Sequence, residues 1–191
     1  MENNKKYVIF DLEATCYDRM EDTPRGFLNE IIEIGAVMVD ENGTELSRFS
    51  KFAKPPLFPE LSDFCKKLTT ITQEDVDNAD NLKDVIIEFD KWCDGSTMLS
   101  WGFYDKTQLG KDMIRNDLEH LLESSTIEDH FSLKHLYAKW NGLRKRGIGM
   151  GGALRREGLE LDGTHHRGID DAINITKIFR KYINKFKEEE L

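Results

Sequence analysis

The sequence is poor in the features that mark several classes of protein. It has three cysteines, Cys16, Cys65 and Cys93, with no C-x-x-C pair among them. An odd number at wide spacing argues against a disulfide framework and against a zinc ribbon. A reducing cytoplasm is the expected compartment. No apolar run approaches the ~18 residues of a membrane span. The N-terminus, MENNKKYVIF, lacks a signal peptide's apolar core followed by small residues. No G-x-G-x-x-G follows the first apolar run, which argues against dinucleotide binding. Basic charge is not in excess: 27 Lys and Arg stand against 36 Asp and Glu, a net charge of −9. That argues against a passive nucleic-acid coat protein, whose affinity comes from a basic surface. It does not exclude a nucleic-acid enzyme that binds cations, because two dications would bring −9 to −5. Repeats, low-complexity stretches and dividing linkers are also missing, so one domain over the 191 residues is expected.

What is present reads as an α/β layer architecture. Tyr7-Val8-Ile9-Phe10-Asp11-Leu12-Glu13 is a short apolar run that gains carboxylates at its end, a strand buried on both faces. Ile31 to Val39 is a second strand. Asn42-Gly43 marks a tight turn, and Leu46 to Phe52 should return antiparallel. Phe49 and Phe52 are three apart, so one face holds both only with a bulge. Thr72-Gln73-Glu74-Asp75 resembles a capped helix start. Leu82, Val85, Ile86, Phe89 and Cys93 recur at helical spacing. A short strand over Thr97 to Trp101 precedes a helix starting near Asp105. Leu133, Leu136, Tyr137 and Trp140 form another stripe, and Ile169 to Phe186 is the clearest helix. Strand, hairpin, helix, strand and then helices predict a mixed sheet flanked by helices.

Four carboxylates and a histidine are the candidates for chemistry, each with an ordinary alternative. Asp11 and Glu13 share one face of a strand by its period of two. They are either frayed-end carboxylates or a buried like-charged pair that a hard divalent cation such as Mg²⁺ or Mn²⁺ would relieve. Asp105 reads equally as a helix N-cap. Asp170 and Asp171 suit the first turn of a helix on dipole grounds alone. His166 precedes Asp171 by five residues, so a loop histidine and a first-turn aspartate can face one site. Its imidazole, with an ordinary pKa near 6.5, can take a proton from an attacking water. Gly147-Ile148-Gly149-Met150-Gly151-Gly152 lacks the Lys-Ser/Thr ending of a phosphate loop and reads as a turn before a short helix from Ala153. Lys134, Arg144, Lys145, Arg146, Arg155 and Arg156 are either solvated helix faces or phosphate contacts. Phe103 and Tyr104 are candidates for base stacking, Trp101 is at least as well explained by packing, and Cys16 reads as packing.

Taken in order, DLEATC, SWGFYD and HHRGIDDAINI resemble the DEDDh family of 3′–5′ exonucleases, which have an RNase H-like fold. Gly168 occupies a position where that family more often has alanine. Glu33-Ile34-Gly35-Ala36-Val37, Pro59 to Cys65 with Leu68-Thr69, and the Trp before the middle aspartate resemble one subgroup. It holds the enhanced-RNAi and histone-mRNA 3′-exonucleases and bacterial KapD-like proteins. The resemblance runs from about Tyr7 to Phe186. It implies an RNase H-like three-layer fold, with a mixed central sheet flanked by helices and a domain core of about 7–186. It implies two divalent cations, Mg²⁺ or Mn²⁺, on Asp11, Glu13, Asp105 and Asp171, clamping a scissile phosphate. It implies His166 as the base and Glu13, Ala14 and His166 around the terminal nucleotide, with small Ala14 making room. It implies single-stranded RNA 3′ ends or overhangs as substrate and nucleoside 5′-monophosphates as product.

Two other readings remain open on sequence alone. One keeps the chemistry and makes DNA the main substrate, since no reader of a 2′-hydroxyl is recognisable. The other is a regulatory nucleic-acid-binding protein without turnover, which would have no need of all five residues. A zinc hydrolase is remoter, because the ligand set is oxygen-rich without paired His or Cys.

Overall fold

A computed structural model describes residues 5–122 and 129–190. A five-stranded sheet has the order β3-β2-β1-β4-β5. Its strands are β1 (Lys6–Ala14), β2 (Ile31–Asp40), β3 (Glu45–Phe52), β4 (Thr97–Ser100) and β5 (His130–Ser132). β1 pairs antiparallel with β2, which pairs antiparallel with β3. β4 lies parallel to β1, and β5 parallel to β4. Short helices α1 (Asp63–Thr69) and α2 (Gln73–Asp77) and the longer α3 (Leu82–Cys93) connect β3 to β4. α4 (Tyr104–Arg115) and α5 (Glu119–Leu122) follow β4, and α6 (Leu133–Trp140), α7 (Met150–Glu157) and α8 (Gly168–Glu189) complete the chain's described elements. This is the mixed, helix-flanked sheet expected from the order of elements. Among the described residues no helix is long and apolar enough to cross a membrane.

The alternation of β1 decides what covers each face. Val8, Phe10 and Leu12 point into a core with Val85, Ile86 and Phe89 of α3 and Leu109 and Met113 of α4. Tyr7 and Ile9 point the other way, against Leu133 and Tyr137 of α6 and Ile175, Phe179 and Phe186 of α8. Both faces are therefore dry, which explains why β1 reads as a continuous apolar run. Asp11 and Glu13 continue the series 7, 9, 11, 13 and so emerge on the α8 side at the strand's end. A third, smaller core of Ile32, Leu61, Cys65, Ile71 and Val76 holds α1 and α2 down.

Several local expectations change. Phe49 and Phe52 need no bulge between them. Phe49 enters the α3 core, while Phe52 faces the third cluster and the Arg167 guanidinium, 5.1 Å from its ring centroid. The register shift of that hairpin falls at Met38/Val39 instead. β4 ends at Ser100, one residue before Trp101. The short helix expected from Ala153 begins at Met150, with Gly149 as its N-cap. Trp101 is a packing residue: its Nε1–H donates to Ile148 O at 3.1 Å and its ring lies 5.9 Å from that of Tyr137. Three residues of β5 are too few to show a period, and the strand has no sequence signature of its own.

Candidate active site

The site forms where β1, β2, β4, α4 and α8 meet, at the carboxyl end of the parallel strands, the usual place for ligands in such sheets. Across the β1–β2 ladder, Asp11 faces Gly35 and Glu13 faces Glu33. Gly35 has to be glycine: a Cβ there would overlap the carbonyl carbon of Gly168 and the nitrogen of Ile169. The start of α8 thereby lies directly on β2, and Asp171, one turn in, comes down beside Asp11. Gly168 is close but less confined, since a Cβ would sit 3.1 Å from Asp11 O and Gly35 N.

Carboxylate oxygens of Asp11, Glu13 and Asp171 lie within 4.8 Å of one another. Asp105, the second residue of α4, joins them from the other side of β1. It is buried, and its Oδ1 accepts the Leu12 backbone N–H at 3.2 Å, so it is tied to the strand that carries Asp11 and Glu13. Glu33 is buried alongside but has its own partners. It accepts from Arg167 Nε at 3.1 Å and Nη2 at 3.3 Å and from Gly168 N at 3.0 Å. An acid at the first amides of α8 also suits the helix dipole.

The electrostatics are those of a cluster that lacks a counter-charge. Burial, then Asp105, Glu13, Asp171 and Glu33, hold the Asp11 carboxyl well above the usual carboxylate range. Burial, then Asp171, Glu33 and Asp105, push Glu13 up to about 8. Burial lifts Asp105 to about 6, against the lowering pull of the Leu12 N–H and the Ser100 hydroxyl. A cation among these oxygens removes both the repulsion and the desolvation penalty. Their hard, all-carboxylate character suits Mg²⁺-like ions over soft ones.

Both histidines before α8 reach Asp171, through different atoms. His165 Nδ1 meets Asp171 Oδ2 at 2.9 Å and Oδ1 at 3.0 Å. His166 touches Asp171 through its backbone N–H, 3.1 Å from Oδ2. That bond accompanies a left-handed backbone at His166, φ 66°, uncommon for a non-glycine residue and typical of functional sites. The two rings stack 4.0 Å apart, and a ring nitrogen of each lies within 4.8 Å of an Asp171 carboxylate oxygen. Burial and the His165 ring push the His166 imidazole below its ordinary range, partly offset by Asp171. All the sequence candidates Asp11, Glu13, Ala14, Asp105, His166 and Asp171 thus lie on elements that meet here. Sequence reasoning passed over His165, Glu33 and Arg167. The doubled histidine was the one available signal for His165. Glu33 and Arg167 sit in motifs whose roles only the ladder and the α8 contact reveal.

The fold and the carboxylate cluster together define a nuclease architecture of the RNase H-like type. The chain belongs to the exonuclease family whose model, RNase_T, matches residues 8–179. It is similar to rat "3'-5' exoribonuclease 1", 29% identical over 89% of this chain and 50% of that protein. The chain therefore spans about half the length of that relative. It is 28% identical to "Probable 3'-5' exonuclease KapD" of Bacillus subtilis (strain 168), over 91% of this chain and 82% of that one. Among solved structures, the nuclease domain of 3′hExo, a DEDDh family member, bound to rAMP, superposes with a TM-score of 0.75 at 25% identity, covering 96% of this chain and 94% of that one. The family implies use of a divalent metal, and the acidic cluster supplies fitting ligands.

Proposed function

We propose that this protein is a two-metal 3′–5′ exonuclease that removes nucleotides from RNA 3′ ends and releases nucleoside 5′-monophosphates. The observation that carries the reading is the convergence of Asp11, Glu13 and Asp171 within 4.8 Å, backed by Asp105 and His166. Asp11, Glu13, Asp105 and Asp171 would hold the ions, Mg²⁺ or Mn²⁺. When bound, these supply positive charge at the scissile phosphate and at the departing oxygen.

The chain's own groups do the rest. His166, neutral near pH 7 because its pKa is depressed, takes a proton from the attacking water as that oxygen bonds to phosphorus. The P–O3′ bond breaks, and the 3′ oxygen leaves on the shortened strand. His165 orients the Asp171 carboxylate through Nδ1. Ala14 ends β1 beside Glu13 with a side chain small enough to admit the terminal nucleotide. RNA is preferred over DNA because the rat relative is named an exoribonuclease and the 3′hExo neighbour holds rAMP. Residues 7–186 form the working core of this domain, and a cytoplasmic setting suits its free thiols.

The test is a gel time course on 5′-labelled RNA and DNA of one sequence with Mg²⁺, Mn²⁺ or EDTA, run beside Asp11→Asn. A metal-dependent ladder shortening from the 3′ end, absent in the variant, is expected, with RNA the faster substrate. An Asp11→Asn protein as active as the wild type would refute the reading. Faster shortening of DNA would overturn the substrate.

A further inference from the structure

A cavity of about 340 Å³ opens further along α4, the helix that carries Asp105, and the reaction as derived above does not use it. We propose that it is an upstream subsite for the same polynucleotide strand, holding a base one to three nucleotides from the 3′ end. The inference rests on the nuclease reading and deepens it.

Both walls of the cavity are continuous with the active site. One wall is α4. Tyr104, Gln108, Lys111 and Arg115 follow one another at helical spacing along a single stripe of that helix. Tyr104 begins the stripe, directly before Asp105 at the start of α4. Gln108, Lys111 and Arg115 line the cavity. The opposite wall is Phe27-Leu28-Asn29. Asn29 Nδ2 donates to Thr15 O at 2.6 Å, and Thr15 directly follows Ala14. From Asp105 to Lys111 α4 rises ~9 Å, between two and three stacked nucleotides at ~3.4 Å each, or fewer in an extended strand.

The lining has the chemistry of a base and its phosphate. Phe27, Leu28 and Ile114 are its apolar surface, and Leu28 and Ile114 stand 47% and 54% exposed. Phe27 is braced edge-on by Tyr17 and Phe58, ring centroids 4.8 and 5.0 Å away. Gln108 is buried to 3% exposure. Its amide nitrogen donates to Asn29 O and Asp112 Oδ2 at 2.8 and 2.9 Å. Its oxygen has no partner among the described residues and is free to accept from a base N–H. Arg115 is committed to Asn29 O and Asp112, which makes it wall rather than ligand. Lys111 has no ion-pair partner among the described residues and offers its ammonium to a phosphate. The nearby acid Glu30 is turned away onto the Leu57 and Phe58 amides. An apolar slot with an uncommitted amide acceptor in its wall, a free cation and no facing free acid complements a nucleotide, not an acidic or purely apolar partner.

The experiment measures KM for 5′-labelled RNAs of two to eight nucleotides with wild type, Lys111→Glu and Leu28→Asp. Both substitutions are at exposed positions, and circular dichroism checks their folding. Wild-type KM should fall by at least about fivefold as the strand grows long enough to enter the cavity, the size of one stacked base. It should then level off. In both variants the values for long strands should converge on that for the dinucleotide. A wild-type KM independent of length overturns the subsite while leaving the nuclease reading intact. Variants that change KM by one factor at every length also overturn it. A wild type that shortens no RNA at any length overturns the nuclease reading and the subsite with it.

Discussion

At the residue scale the site is a set of acids whose charge state decides stability as well as chemistry. Glu13 titrates near 8 in the folded chain against an ordinary 4.5. Between those values the folded state holds a proton that the unfolded state has released, so stability falls as pH rises through that window. His130 shifts the other way, to about 4 from 6.5 by burial, and its contribution is lost below pH 6.5. Above pH 6.5 two raised carboxyls, Asp11 and Glu13, outweigh one thiol of opposite sign, Cys65, which its hydrogen bond with Cys16 holds at about 7 against an ordinary 9.0. In EDTA the melting temperature should therefore drop between pH 6.5 and 8.5, by the equivalent of at most a few kcal/mol. Mn²⁺ or Mg²⁺ should restore it at the upper end, where the carboxylates are free to bind metal. A melting temperature that rises over that range without metal would contradict the cluster's electrostatics. His166→Ala should slow nucleotide release ~10²–10⁴-fold, the usual contribution of a general base, while metal-induced thermal stabilisation persists. His165→Ala should instead weaken that stabilisation, because it loosens Asp171. Single-turnover rates and metal titrations of the two variants separate the roles.

At the element scale the site depends on how closely α8 approaches β2. Gly35 and Gly168 meet backbone to backbone, and this contact brings Asp171 within reach of Asp11. Gly35→Ala forces the helix start away from the strand. It should cost at least the ~1–3 kcal/mol of an overpacked core, seen as a lowered denaturation midpoint. It should also lose metal-induced stabilisation, since the three carboxylates no longer converge. α4 supports the site in a second way. Asp105 accepts the Leu12 N–H, and further along the helix Asp112 accepts the Ile31 N–H at 3.0 Å. One helix thus ties the end of β1 to the start of β2, where the acids of both strands lie.

At the scale of the whole molecule, the proposed activity asks a chain of net charge −9 to hold a polyanion. On that reading the cations would be divalent metals held by the acids, together with a few local side chains. Single-stranded RNA should therefore bind weakly in EDTA and at least tenfold more tightly with Ca²⁺, a dication chosen to limit turnover. Asp11→Asn should lose most of that gain. Fluorescence anisotropy over a series of salt concentrations checks it, and an affinity indifferent to Ca²⁺ would mean that protein side chains carry the binding. The same experiment reports the number of phosphate contacts, each contributing about −0.7 to the slope of log K against log salt for a single strand.

The sequence by itself determined the class of fold and most of the acids. A buried strand ending in Asp-x-Glu, the Asn-Gly hairpin and the long amphipathic α8 are local patterns, set by residue period and turn chemistry. Only the tertiary structure decided what those patterns do together. Asp11, Asp105 and Asp171 lie about a hundred residues or more apart along the chain, or more than sixty in the case of the last two, and nothing local states that they meet. The division of work between His165 and His166, the pairing of Glu33 with Arg167 and Gly168, and the three-residue β5 depend on long-range contacts that leave no periodic trace. Hydrophobic periodicity records which face of an element is buried. Which side chains meet across that buried surface is set by packing and by backbone approach, here the glycine contact between β2 and α8.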